Sequence, residues 1–132
     1  MANAMNALVY DRSQDVWENS KGMRLQRVDE PTLDESKDYR DAHMALIRPR
    51  FTGFCGSDRG IWFRSAFKDM IYGSLDEERR DVRVIGHELF GEIAAVGSEA
   101  KRVYGYGPGD TVSTESHIIC NTCYQCRFGE GH

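Results

Sequence analysis

The chain has 132 residues, 40% hydrophobic and 29% charged, a balance that suits one folded core and excludes a disordered or fibrous segment. A net charge of −4 argues against nucleic acid as a partner, because neutralising phosphates needs a basic face. No run approaches the length of a membrane span and no basic segment leads into an apolar stretch at the N-terminus, so neither a transmembrane helix nor a secretory signal is expected, and the cytoplasm is the expected compartment.

In chain order, Asn6 to Tyr10 (NALVY) is a short apolar run suited to an opening strand. Gly22 to Val28 alternates weakly with period two and is expected to pair with it as a meander. Val28 to Asp41 is acidic, contains Pro31 and reads as a surface loop. Met44 to Phe54 reads as another strand, which Pro49 restricts to a sheet edge or a bulge. After Gly53 the pattern changes: residues 55–83 contain few β-branched side chains and aromatics at mixed helical spacings, predicting one or two short helices and a loop. Within them, DEERRDVR reads as a solvated face, and IWF and MIY as core or cleft lining.

VIGHELFGEIAAVGSEA then returns to strand, with Gly86, Gly91 and Gly97 marking bulges or close backbone approach. Gly107 to Asp110 is a turn leading into a strand that begins at Thr111. Several short strands with glycine-rich turns, and no strand–helix–strand alternation, predict a mainly β, barrel-like antiparallel domain.

Four cysteines in a chain without an export signal point to metal or catalysis before disulfides. Cys120, Cys123 and Cys126 form a C-x2-C-x2-C array, a spacing that lets sulfurs converge on one ion at about 2.3 Å. A tetrahedral site needs a fourth ligand, and His132 is one candidate within the chain. On a strand, Gly86-His87-Glu88 would send His87 and Glu88 to opposite faces. Cys55, at the head of a helical turn, could face the same cleft as His87, with Asp58 accepting the second imidazole N–H and Ser57 offering a hydroxyl. Each of these residues alone equally suits a structural reading: a hydrogen-bonded histidine, or a buried inert thiol.

Together the motifs carry a resemblance. GHELFGEIAAVGSEA fits every fixed position of the zinc-containing alcohol dehydrogenase signature, G-H-E-x2-G-x5-[GA]-x2-[IVSAC]. With GFCGSD upstream, and GPGDTV and the cysteine array downstream, the chain resembles the zinc-dependent medium-chain dehydrogenase/reductase superfamily from Met5 onward. The resemblance implies a GroES-like, partly open antiparallel β-barrel with short helices and a cysteine-rich zinc lobe. It makes Cys55 and His87 ligands of a catalytic zinc, with Glu88 beside the metal, Ser57 contacting the substrate oxygen and Asp58 behind His87. Cys120, Cys123 and Cys126 become structural zinc ligands, and the family's C-x2-C-x2-C-x7-C spacing puts the fourth cysteine two positions beyond His132.

The implied reaction is reversible oxidation of a small-molecule alcohol, polyol or aldose, with zinc as Lewis acid and a hydride passing to NAD or NADP. The implied parent is a homodimer or homotetramer, without membrane or nucleic-acid partners. Two departures stand out. Gly60 occupies the position of the proton-relay histidine of some members, and no G-x-G-x-x-G follows a strand. The chain therefore reads as one domain, residues 1–132, cut within the structural lobe, lacking the nucleotide-binding domain and inactive alone. CGSDRGI resembles a sugar dehydrogenase branch, and ESHIIC a threonine and polyol branch. The alternative is a freestanding zinc-binding or interaction module with the same fold.

Overall fold

The computed structural model describes residues 3–115, 119–120 and 122–129. Strand β1 (Ala4–Asp11) lies at the centre of a three-stranded sheet, antiparallel to β2 (Arg24–Asp29) on one side and to β4 (Val82–Val84) on the other. Successive strand side chains point to opposite faces, so complete burial of both Val9 and Tyr10 means that both faces are covered at that end. The opening strand and its meander partner are thus where the sequence places them.

One cover comes from two helices, α1 (Gly56–Trp62) and α2 (Lys68–Glu78), as the change of pattern after Gly53 predicts. Tyr10, Trp17, Ile61, Ile71 and Leu75 form the core cluster. Its polar atoms are paired. Tyr10 Oη donates to the Asp15 carbonyl at 2.9 Å and lies 2.9 Å from Tyr72 Oη, and Trp17 Nε1 donates to the Arg64 carbonyl at 3.1 Å. IWF and MIY divide accordingly: Ile61 and Ile71 enter the core, while Phe63 and Met70 face outward.

The buried Asp11 carboxylate closes the turn after β1, accepting from the Ser13 N–H and hydroxyl, Gln14 and Gln26. Burial alone would raise its pKa, but these hydrogen bonds outweigh burial and hold the carboxyl below its ordinary value.

The second sheet has the order β3-β5-β6, built from Ala45–Thr52, Leu89–Val96 and Thr111–Ser113, all antiparallel. β3 is an edge, and its register shifts between Pro49 and Phe51, the two settings in which a strand tolerates proline. Among the described residues the two sheets stay open, in keeping with a partly open barrel.

Two expectations are corrected. The run from Val84 to Ala100 is not continuous strand: residues 85–88 are irregular, and Ser98–Tyr104 forms helix α3. The switch at Ser98 has a non-local cause, since its N–H and hydroxyl both donate to the Glu35 carboxylate at 2.7 Å. That carboxylate satisfies an orphan donor at the helix start from a loop 63 residues away. Close approach explains Gly97, where a Cβ would stand 2.1 Å from the Asp41 carbonyl oxygen. A short 3-10 turn at Tyr39–His43 also closes the stretch that reads as loop, and another lies at Trp17–Asn19, before the second strand. No helix among the described residues is long and apolar enough to cross a membrane.

Candidate metal centre

The end of β3 and the start of β5 bring the first group together. The Gly53 N–H donates to the Glu88 carbonyl at 2.9 Å, so the segment entering α1 runs beside residues 87–88. Cys55 caps α1, and its N–H donates to Asp58 Oδ2 at 3.0 Å, which fixes the turn presenting the thiol. Gly86 has φ +122°, a left-handed conformation that takes the chain out of strand geometry just before His87. Residues 85–88 are outside any strand, so side-chain alternation does not apply here. His87 and Glu88 do not point to opposite faces, as the sequence suggests, but converge.

Cys55, His87 and Glu88 offer a sulfur, a ring nitrogen and a carboxylate oxygen within 4.8 Å of one another. Cys55 Sγ lies 3.3 Å from His87 Nε2, and Glu88 Oε1 lies 4.0 Å from the same nitrogen. Tetrahedral zinc holding a thiolate and an imidazole would separate the donors by roughly 3.5 Å. Ser57 Oγ is 2.8 Å from Cys55 Sγ and 3.1 Å from His87 Nε2, beside the place where an ion would sit.

Behind the ring, Asp58 is 1% exposed, and its Oδ1 has no hydrogen-bond partner, facing His87 Nδ1 at 3.6 Å. The expected carboxylate–imidazole pair is thus aimed correctly but longer than a hydrogen bond. A groove of about 390 Å³ opens beside Glu88 and is lined by Phe51, Thr52, Leu89 and Phe90 among others.

The second group is the cysteine array. Cys123 caps the short helix α4 (Tyr124–Arg127), and Cys126 lies within it. Their sulfurs are 3.3 Å apart, and Cys120 Sγ is 3.7 Å from Cys126 Sγ. Tetrahedral zinc with thiolate bonds of about 2.3 Å separates its sulfurs by roughly 3.8 Å, so the array fits. The Thr122 hydroxyl donates to Cys120 Sγ, as does the Cys123 N–H. These hydrogen bonds, that from Thr122 foremost, lower the Cys120 pKa to about 6. His132, the candidate fourth ligand, lies outside the described residues.

Sequence reasoning gave no role to Gly53 or Thr122. Thr122 carries a signal, a hydroxyl residue inside a metal-ligand spacing. Gly53 carries only its place one residue before the strand-to-helix turn, and its neighbour Glu88 is known from the structure alone.

The alcohol dehydrogenase GroES-like domain profile matches residues 41–132. The L-threonine 3-dehydrogenase of Rhizobium etli is 32% identical over 136 residues, covering all of this chain and 32% of that relative. The L-threonine 3-dehydrogenase of Solibacter usitatus is 34% identical over 132 residues, covering 97% of this chain and 31% of its own. Among solved structures, the alcohol dehydrogenase TADH from Thermus sp. ATN1 superposes with a TM-score of 0.62 at 26% identity, over 96% of this chain and 29% of that one. Galactitol-1-phosphate dehydrogenase from Escherichia coli gives 0.59 at 25% identity, over 94% and 28%. The chain spans about a third of the length of these curated relatives.

Proposed function

Because the chain belongs to the alcohol dehydrogenase GroES-like domain family, we propose that it is the front, catalytic-domain part of a zinc-dependent, NAD(P)-linked dehydrogenase of small alcohols, polyols or aldoses. The observation that carries this reading is the meeting of Cys55, His87 and Glu88, with the unpaired Asp58 oxygen buried behind the imidazole. A pure interaction module of the same fold would have no use for such a group. Three donors with room for a further partner are the pattern of a catalytic rather than a structural site. A small hydroxylated substrate is supported by the names of the relatives, whose own substrates are threonine and galactitol 1-phosphate.

In this reading Cys55 and His87 hold the zinc with Glu88 beside it, and Cys120, Cys123 and Cys126 hold a second, structural zinc. Bound zinc supplies Lewis acidity toward a substrate oxygen. Asp58 turns His87 so that Nδ1 faces the carboxylate and Nε2 faces Cys55 and Ser57. The Ser57 hydroxyl stands beside the thiol and the imidazole, where it can take up and pass on the substrate's hydroxyl proton. Gly60 provides no side chain to carry that proton onward. The nicotinamide cofactor binds in polypeptide outside this chain, which carries no dinucleotide fingerprint. The whole enzyme is a cytoplasmic homodimer or homotetramer.

Reading the coding sequence past His132 tests this, together with assay of the encoded protein. A cysteine two positions on, then a strand–G-x-G-x-x-G–helix unit, is expected. So is reduction of NAD or NADP by at least one alcohol, polyol or aldose, abolished by a zinc chelator. A protein that reduces neither cofactor with any such substrate overturns the reading.

Asp58 has its own expected effect. Asp58→Ala leaves His87 unoriented and the Cys55 N–H without its acceptor, lowering zinc affinity by about 10–100-fold. Competition against a chromophoric chelator measures it. Unchanged affinity with reduced thermal stability would limit Asp58 to the turn.

A further inference from the structure

The Glu88 side chain occupies the space that a side chain at residue 53 would take. A Cβ on Gly53 would lie 2.1 Å from Glu88 Oε2, 3.0 Å from Glu88 Cβ and 3.1 Å from Glu88 Cδ. The Gly53 backbone itself does not require glycine, since its φ is not among the positive values. What glycine supplies is space, and the carboxylate of Glu88 fills it.

We propose that Gly53 is a positioning residue that holds the Glu88 carboxylate against Cys55 and His87, an inference resting on the reading of those three residues as a metal site. The hydrogen bond from the Gly53 N–H to the Glu88 carbonyl ties the two backbones together at 2.9 Å. The 3.0 Å contact with Glu88 Cβ needs a shift of only a few tenths of an ångström, whereas the 2.1 Å clash with the carboxylate is too severe for that. The carboxylate is the free end of a flexible, half-exposed side chain, and it swings away instead. The fold survives while the donor set shrinks from three to two. The glycine thus sets the site's affinity and coordination number without touching the metal.

Cobalt(II) titration of the 132-residue chain tests this, with Cys120, Cys123 and Cys126 replaced by serine so that Cys55 is the only thiolate. Four proteins are compared: this parent, Gly53→Ala, Glu88→Ala and the double variant, with circular dichroism confirming the fold of each. Gly53→Ala is expected to weaken cobalt binding by about tenfold or more and to change the visible d–d bands as a carboxylate leaves the ion. In the Glu88→Ala background the same substitution is expected to change neither, because the carboxylate clash is gone and only the 3.0 Å contact with the Cβ at position 88 remains. Equal weakening in both backgrounds, or none in the first, overturns the proposal, as does a Glu88→Ala variant that binds cobalt like the parent. Failure of the metal-site reading is separately visible: the parent then shows no thiolate-to-cobalt charge-transfer band.

Discussion

Replacing Cys55 with alanine will lower metal affinity at the Cys55–His87–Glu88 group by at least about a hundredfold, since losing a residue that only orients a ligand already costs about 10–100-fold. Cys55 is the single thiolate of the three, and its sulfur lies 3.3 Å from His87 Nε2. Alanine at position 55 leaves one imidazole and a half-exposed carboxylate, a weak pair for zinc. The effect should be confined to this group, because the second cluster is built from a separate stretch and its sulfurs approach one another without help from residue 55. Zinc stoichiometry against competing chelators, compared with a Cys123→Ser variant, separates the two. If Cys55→Ala binds the same number of ions with the same competition behaviour, Cys55 is a structural thiol and the catalytic assignment falls.

The largest expected loss of stability comes from Trp17. It is 4% exposed, and its indole meets Tyr10 edge-on at 5.3 Å and Tyr72 at 6.3 Å. Arg64 stacks over its ring with the guanidinium carbon 5.2 Å from the centroid, and its Nε1 hydrogen-bonds the Arg64 carbonyl. Trp17→Ala removes the middle of this cluster and leaves that carbonyl without its donor. The expected cost is about 3–5 kcal/mol, a large share of the roughly 5–15 kcal/mol that holds an ordinary domain together. Urea or thermal unfolding measures it. Phe51→Ala is the control: Phe51 is 73% exposed, so its truncation should change stability by no more than about 0.5 kcal/mol. Similar losses at both positions would place the core elsewhere.

The contrast between Trp17 and Phe51 shows where sequence reasoning stops. Both are large aromatics beside strands or turns, and nothing local separates them. Trp17 is buried because helices from residues 56–78 fold back over the first sheet, whereas Phe51 lies on an edge strand of the second. Hydrophobicity says what a residue gains by burial; only the arrangement of distant elements decides which residue gains it.

The same division runs through the candidate site. Most of the strands, the edge position of β3 that Pro49 restricts, the helices after Gly53 and the candidate donors Cys55, Ser57, Asp58, His87 and Glu88 were legible in the sequence; β4 was not, because Val82 and Arg83 fall in a stretch that reads as helix and loop. What was legible depends on periodicity, on a missing N–H and on donor chemistry, all properties of a residue and its near neighbours. The convergence of His87 and Glu88 was implied by the family resemblance but not by strand periodicity. Reading them as strand sends them apart, but residues 85–88 lie outside any strand, so that alternation does not hold.

Nor was the start of α3 legible, set by a carboxylate 63 residues upstream, or the need for glycine at position 53, set by a side chain 35 positions away (88 − 53). By itself the sequence determined which atoms are available to bind a metal. The tertiary structure alone decided which of them meet, because contact between distant segments depends on backbone direction and free space, and neither is written in the order of nearby residues.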